Sequence, residues 1–177
     1  MNKTLKIAKW IGFIALAMMG IVYTSCEKNP NSPRIVFHRM YIDTTLIAST
    51  ETPLYKGDTL FLEVELNGLG NELTNLQIDV DREYLKDSLV TVTQYGEELC
   101  TEYSQRDKGF YQFKPKTYVI GTYWMLTPIK ARTNQNEPLT VKMRLKNTSK
   151  AEEPYNPYTK EFWVLVKDST VTKQVAN

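Results

Sequence analysis

Histidine is almost missing from this chain, for His38 is the only one in 177 residues. That leaves little room for the commonest acid/base and metal chemistry. A Ser-His-Asp arrangement would have to be built on His38, and no G-x-S-x-G elbow is there to support one. His38 alternates with Val36 and Met40, opposite Phe37 and Tyr41, and reads as a packed or edge residue. A charge excess is lacking too. With 22 Lys plus Arg against 20 Asp plus Glu, the formal net charge is +2, which exerts no strong pull on nucleic acid. Long apolar runs are missing as well. The best stretch, Trp10 to Tyr23, has fourteen residues without a charge; as a helix it would reach about 21 Å against a hydrocarbon core of ~30 Å, which makes a permanent transmembrane helix the poorer reading. What remains is a globular composition, 42% apolar and 24% charged, enough for one folded unit.

The short apolar run follows Lys3, Lys6 and Lys9, with no acid before it. That is the charged and then apolar pattern of an export signal. It ends in Val22-Tyr23-Thr24-Ser25-Cys26, which resembles the lipobox cut by signal peptidase II in bacterial lipoproteins. The resemblance implies cleavage before Cys26, a thioether-linked diacylglycerol on its sulfur and further acylation of the new amino terminus. Two or three acyl chains satisfy the requirement that stable anchoring needs more than one. Small Thr24 and Ser25 fit the pattern. Tyr23 departs from the enterobacterial preference for leucine and is similar to the relaxed lipoboxes of small Bacteroidota envelope lipoproteins.

Residues 1–25 therefore read as a lipoprotein signal peptide, 26–33 as a polar tether and 34–177 as the folded domain. The tether, Glu27 to Pro33, has two prolines and two asparagines and no hydrophobic period. Loss of the first 25 residues removes three lysines and no acid, leaving 19 basic and 20 acidic residues, a formal charge of −1. No nucleic-acid partner is expected. Glu27, rather than Asp, follows the cysteine, which by resemblance to the enterobacterial sorting rule implies the outer membrane; the periplasmic and surface sides stay open. With Cys26 acylated, Cys100 is left alone, so no internal disulfide is expected, and it reads as a buried apolar residue.

From Arg34 onward the dominant period is two, the mark of half-buried strands. Leu139, Val141, Met143 and Leu145 alternate with Thr140, Lys142, Arg144 and Lys146; Leu60, Leu62, Val64 and Leu66 alternate with Phe61, Glu63 and Glu65. Leu76, Ile78 and Val80 repeat the pattern, as do Phe162, Val164 and Val166. Weaker strands are expected at Ile35 to Ile42, Leu89 to Gln94, Phe110 to Lys114, Tyr118 to Trp124 and Pro128 to Arg132. Asn-Gly and Asp-rich breaks between the runs favour hairpins, with Gly68-Leu69-Gly70 read as one hairpin loop. A short helix is expected at Asp81 to Ser88. The fold class is all-β: an antiparallel two-sheet sandwich, Ig-like or fibronectin-III-like, of about seven to nine strands.

Of the remaining motifs, Asp79, Asp81 and Glu83 fall at spacing two and partly resemble a calcium loop. Without a turning glycine they read as a solvated strand end, and no metal or cofactor is expected. Exposed aromatics with polar tips suit sugar or protein binding, although core packing claims many such rings. Pro154 and Pro157 keep the segment around Tyr155 and Tyr158 out of a central strand, so Tyr155, Tyr158 and Trp163 are the expected ligand contacts. Four tripeptides, beginning at Asp43, Asp58, Asp87 and Asp168, resemble the Bacteroidota O-glycosylation motif. They imply glycan at one or more of Thr44, Thr59, Ser88 and Ser169, while Asp-Ser/Thr is also ordinary turn chemistry.

The expectation is a non-catalytic, lipid-anchored envelope protein that binds an envelope protein or a glycan. A structural or accessory subunit of a surface assembly is the alternative. A hydrolase would need carboxylate pairs such as Glu63 with Glu65 or Glu97 with Glu98 to face another acid across a cleft.

Overall fold

A computed structural model describes residues 31–90, 93–94 and 97–168. Residues 1–25, read above as a signal peptide, Cys26, most of the stretch read as a tether, and Ser169 lie outside these. The strands are β1 (Arg34–Ile42), β2 (Thr45–Ile47), β3 (Leu54–Tyr55), β4 (Leu60–Asn67), β5 (Leu73–Asp79), β6 (Leu85–Leu89), β7 (Thr93–Gln94) and β8 (Glu97–Glu98), followed by a 3₁₀ turn at Arg106–Lys108. After it come β9 (Phe110–Gln112), β10 (Val119–Pro128), β11 (Leu139–Asn147), β12 (Tyr158–Val164) and β13 (Val166–Lys167). Two sheets carry the architecture, in the orders β2-β1-β4-β10-β6 and β12-β11-β5-β9, with every pairing in them antiparallel.

The alternation seen in the sequence explains why these sheets stack. Leu60, Leu62, Val64 and Leu66 of β4 are buried, as are Leu139, Val141, Met143 and Leu145 of β11 and Leu76 and Ile78 of β5. Each such side chain, taken fully from water, contributes about 1.5–3 kcal/mol. Three rings cross the interface: Phe162 of β12 meets Trp124 of β10 edge-on at 5.9 Å and Phe37 of β1 at 5.4 Å. Cys100, in the core, bridges to Phe113, and burial pushes its thiol up to about 11.

The order β1-β4-β10-β6 facing β12-β11-β5-β9 reproduces the immunoglobulin layout of an ABED sheet against a GFC sheet extended by one strand. One step departs from it. The chain visits β6, at the edge of the first sheet, before β9, at the edge of the second.

Four local expectations need correction. Asp81 to Ser88 is not a helix. Tyr84 and Leu85 donate to Asp81 O at 3.0 and 2.9 Å, closing a single turn, after which Leu85–Leu89 pairs with β10. Leu85, Asp87 and Leu89 then turn inward while Lys86 and Ser88 face water. Gly68-Leu69-Gly70 does not close a hairpin, because β4 and β5 belong to opposite sheets and the loop arches between them. Pro128 to Arg132 is not a strand of its own, since Pro128 ends β10. In β1 the register shifts between Phe37 and Arg39, so His38 is the extra residue of a bulge. Inward positions therefore run Ile35 and Phe37, then Met40 and Ile42.

Candidate functional site

The antiparallel sandwich has two ends. At one end the chain enters at Asn31, and the arch 68–72, the turn before β10 and the β11–β12 loop gather there. Asn147 is the centre of this end: it is 1% exposed. Its Nδ2 donates to Asn31 O at 2.9 Å and to Gly68 O at 3.0 Å, and its Oδ1 accepts from Ser149 N at 3.1 Å. Asn156, also buried, donates from Nδ2 to Asn147 O and Ser149 O, each at 3.1 Å. Ser32 Oγ donates to Tyr155 O at 2.5 Å. The proline-bracketed segment is thus held by its backbone and by Asn156. Tyr155 is exposed, and Tyr158 packs partly buried against the core. The peptide bonds before Pro154 and Pro157 are cis.

Trp163 sits elsewhere. β12 climbs away from that loop for six residue steps, about 20 Å, and Trp163 faces outward near its far end, 62% exposed. There it lines a cleft of about 460 Å³. The walls come from three segments: Ser49, Thr50 and Glu51 before β3, Asn136 and Pro138 before β11, and Glu161 to Trp163 with Leu165. Leu54 N donates to Leu165 O at 2.9 Å, and β3 pairs in parallel with β13, so the first and third walls are stitched together. Ser49 Oγ accepts from Glu51 N at 3.1 Å, and Asn134 Oδ1 from Asn136 N at 3.2 Å, which shapes the two loops. Glu161 Oε1 lies 3.7 Å from Lys142 Nζ. An exposed indole, an apolar floor and a rim of amide, hydroxyl and carboxylate groups share one concavity, within the ~300–1,000 Å³ of ordinary ligand sites.

The expected ligand trio is therefore split: Trp163 lines the cleft, while Tyr155 and Tyr158 stand toward the other end. Ser49, Thr50, Glu51, Asn136 and Pro138 were missed, because they carry no motif and come from two segments more than eighty residues apart in the sequence.

The other sequence candidates resolve individually. Asp79, Asp81 and Glu83 do not share a face: they pair with Arg144 at 2.7 Å, Arg132 at 3.5 Å and Lys130 at 2.9 Å. Among the described residues no cluster of three metal-ligating side chains occurs. His38 Nε2 lies 3.2 Å from Glu65 Oε2, on the exposed face of the first sheet; Asn67, then His38, hold the Glu65 carboxyl below its usual range against the opposing effect of burial. Glu63 faces Arg39 at 3.9 Å. Thr44 and Ser88 are exposed; Thr59 is half-buried, with Oγ1 3.4 Å from Thr127 Oγ1.

One buried polar group was not foreseen. The side chain of Asp87 is 4% exposed, with Oδ1 3.1 Å from Arg82 Nη2. Burial pushes this carboxyl above its ordinary 3.8, and Arg82 pulls it partly back. Trp124 Nε1 lies near enough to favour the charged form, yet neither it nor Asp87 Oδ2 reaches a partner in hydrogen-bonding geometry.

No protein-family model matches the chain, and no curated protein matches it.

Proposed function

We propose that this is a lipid-anchored, non-catalytic binding module of the bacterial outer membrane, and that its ligand is a glycan held in the Trp163 cleft. The observation that carries the proposal is the pairing of a largely exposed indole with Ser49, Thr50, Glu51, Asn136 and Glu161 around one concavity. A sugar ring offers an apolar C–H face and a girdle of hydroxyls. The indole plane suits the first and the polar rim suits the second. With Trp163 62% exposed, its indole is open to the apolar face of a ligand seated in the cleft. Support for the anchor comes from the lysine-led apolar run and from Val22-Tyr23-Thr24-Ser25-Cys26.

The carboxylates of the cleft, Glu51 and Glu161, are both exposed. A glycosidase acid needs a site that raises its pKa, usually by burial, which favours retention of the sugar over its cleavage.

The test uses Trp163 as its own reporter. Soluble neutral and acidic oligosaccharides are titrated into residues 27–177 while tryptophan emission is followed, with thin-layer analysis of the sugars afterward. A saturable change, lost in Trp163→Ala with circular dichroism unchanged and the sugars uncleaved, is expected. No response to any oligosaccharide, together with recovery of one stoichiometric envelope protein after crosslinking on cells, would instead make the chain an accessory subunit of a surface assembly.

A further inference from the structure

The sandwich is held by its chain at one end and opens its cleft at the other. Granting the lipid anchor proposed above, we infer that the end bearing Asn31, Tyr118 and Tyr155 rests on the bilayer, and that the Trp163 cleft opens away from it. The membrane surface is the partner of that end.

Three observations lead there. The first is the fixing of the chain where it joins the domain. Asn147 Nδ2 donates to Asn31 O at 2.9 Å and Ser32 Oγ to Tyr155 O at 2.5 Å, and Arg34 opens β1 opposite Asn67. Residues 31 and 32 are therefore part of the sandwich and add nothing to the free length of the tether. Five residue steps separate Cys26 from Asn31, and even fully extended they span no more than about 18 Å. A diacylglycerol on Cys26 therefore confines this end to the neighbourhood of the headgroups.

The second is what that end displays. Tyr118, Val119 and Tyr155 are 44%, 50% and 44% exposed. Gly68 N donates to Tyr118 O at 2.8 Å, and Asn147 donates to Gly68 O, so the Tyr118 backbone and the Tyr155 loop are linked through two residues. Tyrosines with an apolar ring and a polar tip favour a membrane–water boundary. Lys116 and Lys150 are exposed in the adjoining loops, and cations there are drawn to anionic lipid. Glu152 and Glu153 temper that attraction; the aromatic contact and the short tether carry the orientation.

The third is the direction of β12. It starts at Tyr158 opposite Leu145, near the Asn147 clamp, and ends at Val164 opposite Leu139. Trp163 is thus about one strand length, ~20 Å, further from the anchored end. A bulky polymer could reach the cleft without displacing lipid.

Trp124 and Trp163 are the tryptophans that follow Cys26, and Trp124 is 0% exposed. The acylated product beginning at Cys26 is reconstituted in vesicles of phosphatidylethanolamine and phosphatidylglycerol, with or without brominated acyl chains. Wild type reports on Trp163; Tyr155→Trp and Tyr118→Trp, each combined with Trp163→Phe, report on the other end. Expected are a clear loss of the introduced tryptophan's emission to the bromines, as for a ring seated at the membrane–water interface, no such loss for Trp163, and quenching of Trp163 by aqueous iodide equal to that of the detergent-free soluble domain. Bromine quenching of Trp163, or its absence at both residues 118 and 155 in protein that floats with the vesicles, overturns the orientation and leaves the anchor standing. Protein that fails to float and carries no acyl mass at Cys26 overturns the anchor, and the orientation with it.

Discussion

Asn147 and Asn156 bind one another twice: Asn147 N donates to Asn156 Oδ1 at 3.2 Å, and Asn156 Nδ2 donates back to Asn147 O at 3.1 Å. The pair closes the β11–β12 loop as a ladder rung would close a hairpin, using a side chain in place of a second backbone. Both residues are buried, so neither amide can exchange its partner for water. Asn156→Ala is expected to strand the Asn147 N–H and a Ser149 carbonyl, each unsatisfied group costing about 1–3 kcal/mol. The check is urea unfolding at neutral pH, where the variant's midpoint should fall well below that of wild type; an unchanged midpoint would show that the loop does not depend on the pair.

Asp87 gives a pH dependence with a definite sign. Its carboxyl is raised by burial, with Arg82 opposing, so the native state holds the proton more tightly than the unfolded chain does. Stability is then greatest while the group is protonated, and it declines as pH rises from about 3.8 through the raised native value. Asp87→Asn removes that titration and keeps an acceptor for Arg82. The difference in unfolding free energy, wild type minus variant, should shrink or turn negative as pH increases across this window and be flat above it. Glu65 and Glu83 are lowered and act in the opposite sense. They are common to both proteins and cancel in the difference. A difference that grows with pH would mean that the Arg82 pair outweighs burial.

Gly109 and Gly121 make a matched pair of substitutions. Gly109 has φ +70°, and a Cβ there would meet Ile78 O and lie 2.7 Å from Arg82 Nη2, whereas a Cβ on Gly121 meets nothing within 4 Å. Gly109→Ala should cost at least about 1–2 kcal/mol from the left-handed backbone alone, plus displacement of the arginine that faces Asp87. Gly121→Ala, in the middle of β10, should be neutral or mildly stabilising. Thermal unfolding of the two side by side would show it, and equal losses would refute the argument.

The sandwich was legible in the sequence wherever one strand carries its own face. β4 and β11 alternate without a break over four apolar positions each, and all eight of those side chains are buried. The bulge at His38 was legible in principle, because Phe37 and Met40 are three apart where strict alternation would put two. β6 was not. Tyr84 and Leu85 among five charges suit a helical surface, and what decides for a strand is nonlocal: the free edge of β10 and the partner Arg82 for an inward Asp87. The arch at 68–70 failed for a related reason, since turn residues mark where a chain reverses and say nothing about which sheet receives it. Trp163 was picked out by residue type, but grouping it with Tyr155 and Tyr158 treated nearness in sequence as nearness in space. A strand advances about 3.4 Å per residue, so the five steps of β12 from Tyr158 to Trp163 already carry the indole most of the way along the sandwich.

The glycosylation-like tripeptides, if used, should not be used equally. A glycosyltransferase acting on the folded domain needs a hydroxyl in water with room around it. Thr44 lies exposed in the turn between β1 and β2, after Asp43 with φ 54°, and Asp43 braces that turn by accepting from Thr59 N at 3.0 Å. Ser88 is exposed on β6, its preceding Asp87 turned inward. Thr59 is half-buried between β4 and β10, its Oγ1 within 3.4 Å of Thr127 Oγ1, and a sugar there would have to part the two hydroxyls. Expected in the native protein is added sugar mass on peptides carrying Thr44 or Ser88 and bare Thr59, read by electron-transfer fragmentation, with Thr44→Ala removing its share and leaving the fold intact. Sugar on Thr59 with Thr44 and Ser88 bare would mean that modification precedes folding, and accessibility in the sandwich would then have no bearing on the choice of site.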